Sequence, residues 1–234
     1  GLVQISASSG HWAITDWALH AIMRQSVKFH AAGIEVPDLS DPAMVRRGAG
    51  HFESGCAACH GSPARPRGPV VMSMTPYPPD LAARIDGWRA QDLFWIVKHG
   101  GKFTGMPAWA ASDRPDEVRR MTAFVRRLPA MSPKEYRALT EVADSRSVPG
   151  IAPATLAACT GCHGRDGRGR GQSDIPVLAG QKPAYLLASL RRYASGERSS
   201  AVMQTAVASL DAAEMEKLAR HFAAMPGLQG DGAL

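Results

Sequence analysis

Apolar positions recur along this chain at helical spacing, and no alternating strand pattern of useful length appears. Val45, Ala49, Phe52 and Cys56 fall three or four residues apart, as do Val118, Met121, Val125 and Leu128. Each set therefore lines one face of a helix. Asp41-Pro42 marks the start of the first, a cap followed by the residue favoured in the first turn, and the second follows Asp113-Arg114-Pro115. Gln91 to His99 reads as a further helix stopped by Gly100-Gly101. Lys182 to Ser195 predicts another, with Tyr185, Ser189 and Arg192 along one stripe, Leu186, Leu187 and Leu190 beside it, and Gly196 at its end. The last helix has the clearest start. Asp211 with Glu214 makes a capping-box pattern and Leu210 with Met215 a hydrophobic staple. Met215, Leu218, Ala219 and Phe222 are its inward face. Near the start, Trp12 to Phe29 is amphipathic, with Trp12, Trp17, Ala21 and Met23 among its apolar members. Its polar positions Asp16, His20, Arg24 and Lys28 are not the strongly basic set of a membrane-surface helix, so packing over the first domain is expected. The predicted fold class is mainly α.

Composition agrees with a globular chain. Of 234 residues, 45% are hydrophobic and 21% charged, which argues against wholesale disorder. No stretch approaches the ~18 consecutive apolar residues of a membrane span. The 23 glycines and 17 prolines suit short helices joined by irregular loops. The chain opens with Gly1 rather than Met, and a cleaved export signal or an upstream anchor is expected before it.

The four cysteines change the picture most. They fall as Cys56-Ala57-Ala58-Cys59-His60 and Cys159-Thr160-Gly161-Cys162-His163, and none is left over. A Cys-x-x-Cys-His run reads as covalent haem attachment. Two cysteines three apart lie on one face of a helical turn, so both sulfurs reach the two vinyl groups along one porphyrin edge. The histidine that follows is carried beneath the ring, towards iron. Paired zinc motifs sit about 15–20 residues apart, whereas 99 residues separate Cys59 from Cys159. A redox dithiol expects a βαβ context that the neighbourhood lacks, and disulfides give no reason for the repeated histidine. Two covalently attached haem c groups are the expected cofactors. The domains follow: a helical extension over 1–34, a first haem domain over 35–130, a linker over 131–152 with Pro133, Pro149 and Gly150, and a second haem domain over 153–234. A core as small as the second is marginal alone, and a buried porphyrin would supply much of its apolar centre.

A haem iron held by one histidine has one axial position left. Methionine there gives a high-potential electron carrier, and an empty position admits small molecules. Met72, Met74, Met106 and Met121 compete in the first unit, with His99 as the rival. Met121 belongs to the closing helix, and Met72 and Met74 sit in a Pro-rich loop near the attachment site. Met106 lies in Thr104-Gly105-Met106-Pro107-Ala108-Trp109, 46 residues after His60. There glycine allows close approach and proline restricts the backbone, so Met106 is the expected ligand. In the second unit Met215 is claimed by the staple and Met225 lies beyond the last helix. Met203, 40 residues after His163, is expected to bind.

With these motifs in place the chain resembles the dihaem class I c-type cytochromes, two cytochrome c domains in tandem. The second unit is similar to exported dihaem electron carriers through Cys159-Thr-Gly-Cys-His163-Gly-Arg-Asp166-Gly-Arg-Gly, Ile175-Pro176-Val-Leu-Ala-Gly180-Gln181, Tyr185-Leu186, Tyr193-Ala-Ser-Gly196 and Met203. The first resembles haem domains of respiratory oxidases and periplasmic dehydrogenases through Pro78-Pro79-Asp80-Leu81, Lys98-His99-Gly100 and Thr104 to Trp109. It departs from them in the Pro/Arg-rich loop Ser62 to Pro69. The resemblance implies Met106 and Met203 as distal ligands. It also implies a proline carbonyl that takes the second N–H of each ligating imidazole, matched by Pro176 and, in the first unit, by Pro79. Gln181, Tyr185 and Trp109 are candidates for hydrogen bonds to haem propionates, with ordinary packing as the equal alternative.

The formal charge of +6 sits mostly before residue 140. Arg65 and Arg67 beside the first motif, and Arg165, Arg168 and Arg170 beside the second, are placed to steer acidic redox partners. The Gly-rich run Gly164 to Gly171 lacks the Lys-Ser/Thr ending of a phosphate loop, so no nucleic-acid or nucleotide partner is expected. The resemblance implies a periplasmic electron carrier that is not itself an enzyme. It would relay single electrons from a dehydrogenase or quinol-oxidising complex through both haems to a terminal oxidase, with membrane association through an N-terminal anchor. The alternative is a dihaem redox enzyme, a peroxidase or sulfur-compound oxidase with one open haem site.

Overall fold

A computed structural model describes residues 4–83, 85, 87–140, 148–171 and 175–227. Among these residues the structure is helical, with no strand and two isolated bridges, Ser62 with Arg65 and Val148 with Ile151. The mainly α class read from the periodicity holds. The chain forms two compact units, Gly1–Tyr136 and Arg137–Leu234.

The first unit is built on α2 (Pro42–His51) and α6 (Pro115–Arg127), joined by α3 (Ala57–His60), α4 (Pro69–Met72) and α5 (Ala90–His99). Asp41 caps α2 by accepting the Ala43 N–H at 2.9 Å, with Pro42 in the first turn. Val45, Ala49 and Phe52 from the first segment and Val118, Met121, Phe124 and Val125 from α6 are buried. The two helices meet at Gly48. A Cβ there would lie 2.5 Å from the Arg120 carbonyl oxygen and 2.6 Å from the Phe124 Cβ, so only glycine permits this approach. Phe52 packs on Phe124 at 5.1 Å between ring centroids, and Tyr136 closes the cluster at 6.1 Å from Phe124.

Two features differ from the sequence expectation. The run Val45, Ala49, Phe52, Cys56 predicts one continuous helix, but Phe52–Cys56 forms a π-helical turn. The wider turn accommodates an extra residue. It keeps Phe52 in the core and leaves Cys56 half-buried and Cys59 exposed. The segment expected as a linker opens with α7 (Pro133–Thr140), whose Tyr136 is fully buried in the first unit and donates to Glu53 Oε2 at 2.5 Å. Ser132 and Glu135 form the capping pair of α7, with Ser132 N–H to Glu135 Oε2 at 2.8 Å and the Glu135 N–H to Ser132 Oγ at 3.2 Å. Serine and proline here start a helix rather than a loop. Residues 141–147 of the expected linker lie outside the described residues.

Ahead of this body, α1 (Ala13–His30) touches it through its C-terminal half. Arg24 lies 4.7 Å over the Trp88 ring, His30 stacks on Trp95 at 5.7 Å, and Val27 is buried. Trp12 and Trp17 remain 72% and 68% exposed, so the expected packing involves part of the helix only. Among the described residues no helix is long and apolar enough to cross a membrane.

The second unit comprises α8 (Pro153–His163), α9 (Pro183–Ala194), α10 (Ala201–Val207) and α11 (Ala212–Ala223). The capping box of α11 is complete: Asp211 accepts the Glu214 N–H at 2.8 Å and donates its own N–H to Glu214 at 3.0 Å. Leu156, Leu186, Leu218, Ala219 and Phe222 form the core with Ile151. Met203 belongs to α10, whose first turn is held by Ser200 accepting the Met203 N–H at 3.2 Å.

Because Gly48 sits in the α2–α6 crossing, Gly48→Ala should destabilise the first unit by about 1–3 kcal/mol through overpacking. Thermal unfolding followed by circular dichroism measures this; an unchanged midpoint would show that the two helices can part without loss.

Candidate haem sites

The first Cys-x-x-Cys-His sequence closes the long helical segment that begins at Pro42. None of the four cysteines is in a disulfide. Burial, with the neighbouring Cys59, pushes the Cys56 thiol up to about 12, and burial with Cys162 pushes Cys159 up to about 11. Among the described residues no group of three or more His, Cys, Asp or Glu side chains is arranged to hold a metal ion.

His60 Nδ1 lies 2.9 Å from the Pro79 carbonyl oxygen. A carbonyl only accepts, so Nδ1 carries the proton and Nε2 keeps its lone pair for a metal. Desolvation lowers the His60 pKa, the Pro79 carbonyl opposes this, and the Arg67 charge adds to the lowering. The loop that presents Pro79 is braced by Arg67, which donates to the Pro78 carbonyl at 2.6 Å and lies over Tyr77.

The Met106 loop leaves α5 through Gly100, at φ +65°. A Cβ on Gly100 would lie 2.5 Å from Pro107 backbone atoms and 2.6 Å from the Met106 carbonyl oxygen. Only glycine lets this helix end sit against the loop. Gly101 N–H donates to the Met106 carbonyl at 3.1 Å, Thr104 Oγ1 accepts the Met106 N–H at 3.1 Å, and Trp109 N–H donates to Lys98 at 3.0 Å. Met106 is half-buried within this frame. Met74 is its neighbour, with its methyl 2.7 Å from where a Cβ on Gly105 would stand. Of the other competitors, Met121 is buried in α6, Met72 is exposed, and His99 is exposed with its ring 4.9 Å from Trp95.

In the second unit α8 ends on Cys159, Cys162 and His163. His163 is buried, and its Nδ1 lies 2.9 Å from the Pro176 carbonyl oxygen, the arrangement found at His60. Desolvation again lowers its pKa while the carbonyl raises it. Met203 is half-buried on α10.

The residues considered for propionates have other engagements. Trp109 Nε1–H donates to Glu117 Oε2 at 3.2 Å, and the Gln181 amide donates to the Val177 carbonyl. Tyr185 is 53% exposed. Most of the arginines read as steering charges also hold structure. Arg65 pairs with Glu53 at 3.0 Å, and Arg168 donates to the carbonyls of Pro226 and Gly227. Arg170 donates to Gly161 at 3.0 Å and Leu139 at 3.1 Å, while Arg165 is exposed. Irregular loops leave carbonyls without helical partners, and the guanidinium fork satisfies them.

Glu117, near the first site, is not among the residues that the sequence singles out. Glu117 is buried in the first turn of α6, where carboxylates are ordinarily solvated, and it pairs with Arg114 at 3.3 Å. His51 is buried with its ring 5.0 Å from Trp109, and desolvation lowers its pKa to about 4, so it is neutral. No local pattern marks Glu117, because a carboxylate in a first helical turn is ordinary in sequence and its burial is decided by packing.

Comparison with known proteins agrees with this chemistry. Residues 43–125 match the family described as cytochrome C oxidase, cbb3-type, subunit III. That segment contains Cys56, Cys59, His60, Pro79, Met106 and Trp109. The chain is similar to a thiosulfate dehydrogenase electron acceptor of Thiomonas intermedia (strain K12), 39% identical over 71 residues, 30% of this chain and 33% of that one. A protein of the same name from Stutzerimonas stutzeri (strain A1501) is 39% identical over 77 residues, 33% of this chain and 35% of the relative. The matches therefore span about a third of these two relatives. Cytochrome c-552 of Acidithiobacillus ferridurans is 24% identical over 178 residues, 74% of each chain. No solved structure gives a significant match. The family similarity therefore rests on residues 43–125, the segment that carries the first Cys-x-x-Cys-His motif.

The ion pairs beside Glu117 make a pH-dependent prediction. Arg114, bonded to Asp116 at 2.9 Å, is the main cause lowering the Asp116 pKa to about 2, helped by Arg120. The unfolded value is about 3.9, so the ionised carboxylate adds stability above pH ~4 that is lost as pH falls towards 2. Asp116 is about one-third exposed, and solvent screening keeps the effect below ~1 kcal/mol. Asp116→Asn should therefore be less stable than the parent at pH 7 and equal to it near pH 2 in denaturant titrations. An equal deficit at both values would assign the effect to packing.

Proposed function

We propose that the protein is a periplasmic electron carrier holding two haem c groups, one in each unit, that passes single electrons from a respiratory dehydrogenase towards a terminal oxidase. Cys56 and Cys59, and Cys159 and Cys162, would form the thioether links. His60 and His163 would bind iron through Nε2 on one side, and Met106 and Met203 through sulfur on the other. The observation that supports this most strongly is the shared constellation around the two histidines. Each follows a Cys-x-x-Cys turn, and each has Nδ1 2.9 Å from a proline carbonyl oxygen. Such a bond holds the imidazole at one tautomer and one ring orientation.

Bound haem supplies a one-electron iron couple, and a methionine opposite histidine places it in the high-potential range of carriers. The chain's own residues do the rest. Pro79 and Pro176 fix the imidazoles, and the Gly100–Trp109 frame holds the Met106 backbone. Two relatives are named as electron acceptors of thiosulfate dehydrogenase. This supports an inorganic-sulfur dehydrogenase as the donor, which refines the broader dehydrogenase or quinol-oxidising class.

The test is a redox titration of the holoprotein with absorption spectra, alongside Met106→Ala and Met203→Ala. The parent should contain two low-spin haems, and each substitution should remove one methionine-to-iron band and lower the potential of that haem. Thiosulfate with a thiosulfate dehydrogenase should reduce the parent. A resting high-spin haem that binds cyanide or carbon monoxide would contradict the carrier and favour the enzyme.

A further inference from the structure

We propose that Glu117 is a positioning residue for the distal side of the first haem, acting on Met106 through the Trp109 indole. This rests on the reading of Met106 as an iron ligand. The Glu117 side chain is 2% exposed, and its two oxygens have different partners. Oε2 accepts the Trp109 Nε1–H at 3.2 Å, and Oε1 pairs with Arg114 at 3.3 Å. Trp109 lies three residues beyond Met106, and its backbone N–H is tied to the end of α5 through Lys98 at 3.0 Å. Its ring meets His51 of α2 edge-on at 5.0 Å.

The Met106 loop is therefore fixed to three helices. Backbone bonds hold it to α5, ring packing holds it to α2, and the Glu117 carboxylate holds it to α6. The carboxylate link is the one with energetic leverage, because hydrogen bonds to a charged group are stronger than neutral ones. It is also directional: an indole has one N–H, and Glu117 takes it. Since α6 packs on α2, which leads into Cys56 to His60, this bond ties the loop bearing Met106 to the body bearing the attachment motif. A loop freed from α6 can withdraw its methionine while the helices stay in place.

The holoprotein in a Met203→Ala background makes the methionine-to-iron band report the first haem. In that background Glu117→Ala and Trp109→Phe should each weaken the band, lower the midpoint potential, and speed displacement of the methionine by added imidazole about ten- to a hundred-fold. Glu117→Gln should restore all three towards the parent, since its amide oxygen still accepts from the indole. The double variant Glu117→Ala with Trp109→Phe should be no faster than the singles, because both remove the same bond. Should Glu117→Ala fail to fold, Trp109→Phe decides, as it keeps the ring and deletes only the N–H. Unchanged band, potential and displacement rate in a folded variant would overturn the positioning role, leaving Glu117 a structural group. Retention of the band when Met106→Ala is added to the Met203→Ala background would overturn the ligand reading itself, a different result.

Discussion

A histidine that must offer one nitrogen to a metal needs its other nitrogen held, or the ring swings and the tautomer is lost. In both units a proline carbonyl does this at 2.9 Å, and proline suits the task because its restricted backbone presents that oxygen from a fixed loop. In the first unit Arg67 braces the loop from the Pro78 side, and in the second Arg170 draws the following loop onto the Gly161 carbonyl inside the motif. Cations beside these motifs invite an electrostatic reading, yet here their first task is to satisfy backbone oxygens.

The helices set the frame in which that bond operates. In the first unit the crossing of α2 and α6 at Gly48 brings together the helix leading to the attachment motif and the helix anchoring the Met106 loop. The π-helical turn at Phe52–Cys56 then rotates the chain. Phe52 stays in the core while the cysteines leave it, which a regular helix with Cys56 on the Phe52 face would not achieve. Glu53 within the turn receives both Tyr136 and Arg65, so the turn is held by side-chain partners as well as by its own backbone.

Much of this was legible in the sequence where the deciding interaction is local. Asp41-Pro42 and the Asp211–Glu214 pair announce helices within four residues, and the cap bonds form as the pattern requires. Apolar spacing places Leu218, Ala219 and Phe222 correctly in the core. Local patterns misled where one residue type has two uses. Ser132-Pro133 reads as linker composition, but with Glu135 it starts α7 and delivers Tyr136 to the first core. The π turn is silent because apolar periodicity continues through it. The Trp109–Glu117 bond was illegible for another reason: the choice of an indole's acceptor is made by packing, and a carboxylate in a first helical turn is ordinary in sequence.

The most direct test of the account is the intact mass of the purified, denatured protein from cells able to mature c-type cytochromes. The polypeptide should be heavier than its own sequence by two haems, and by one haem when the cysteines of either motif are replaced. A mass equal to the bare chain, or one haem that disappears with only one of the motifs, would contradict it.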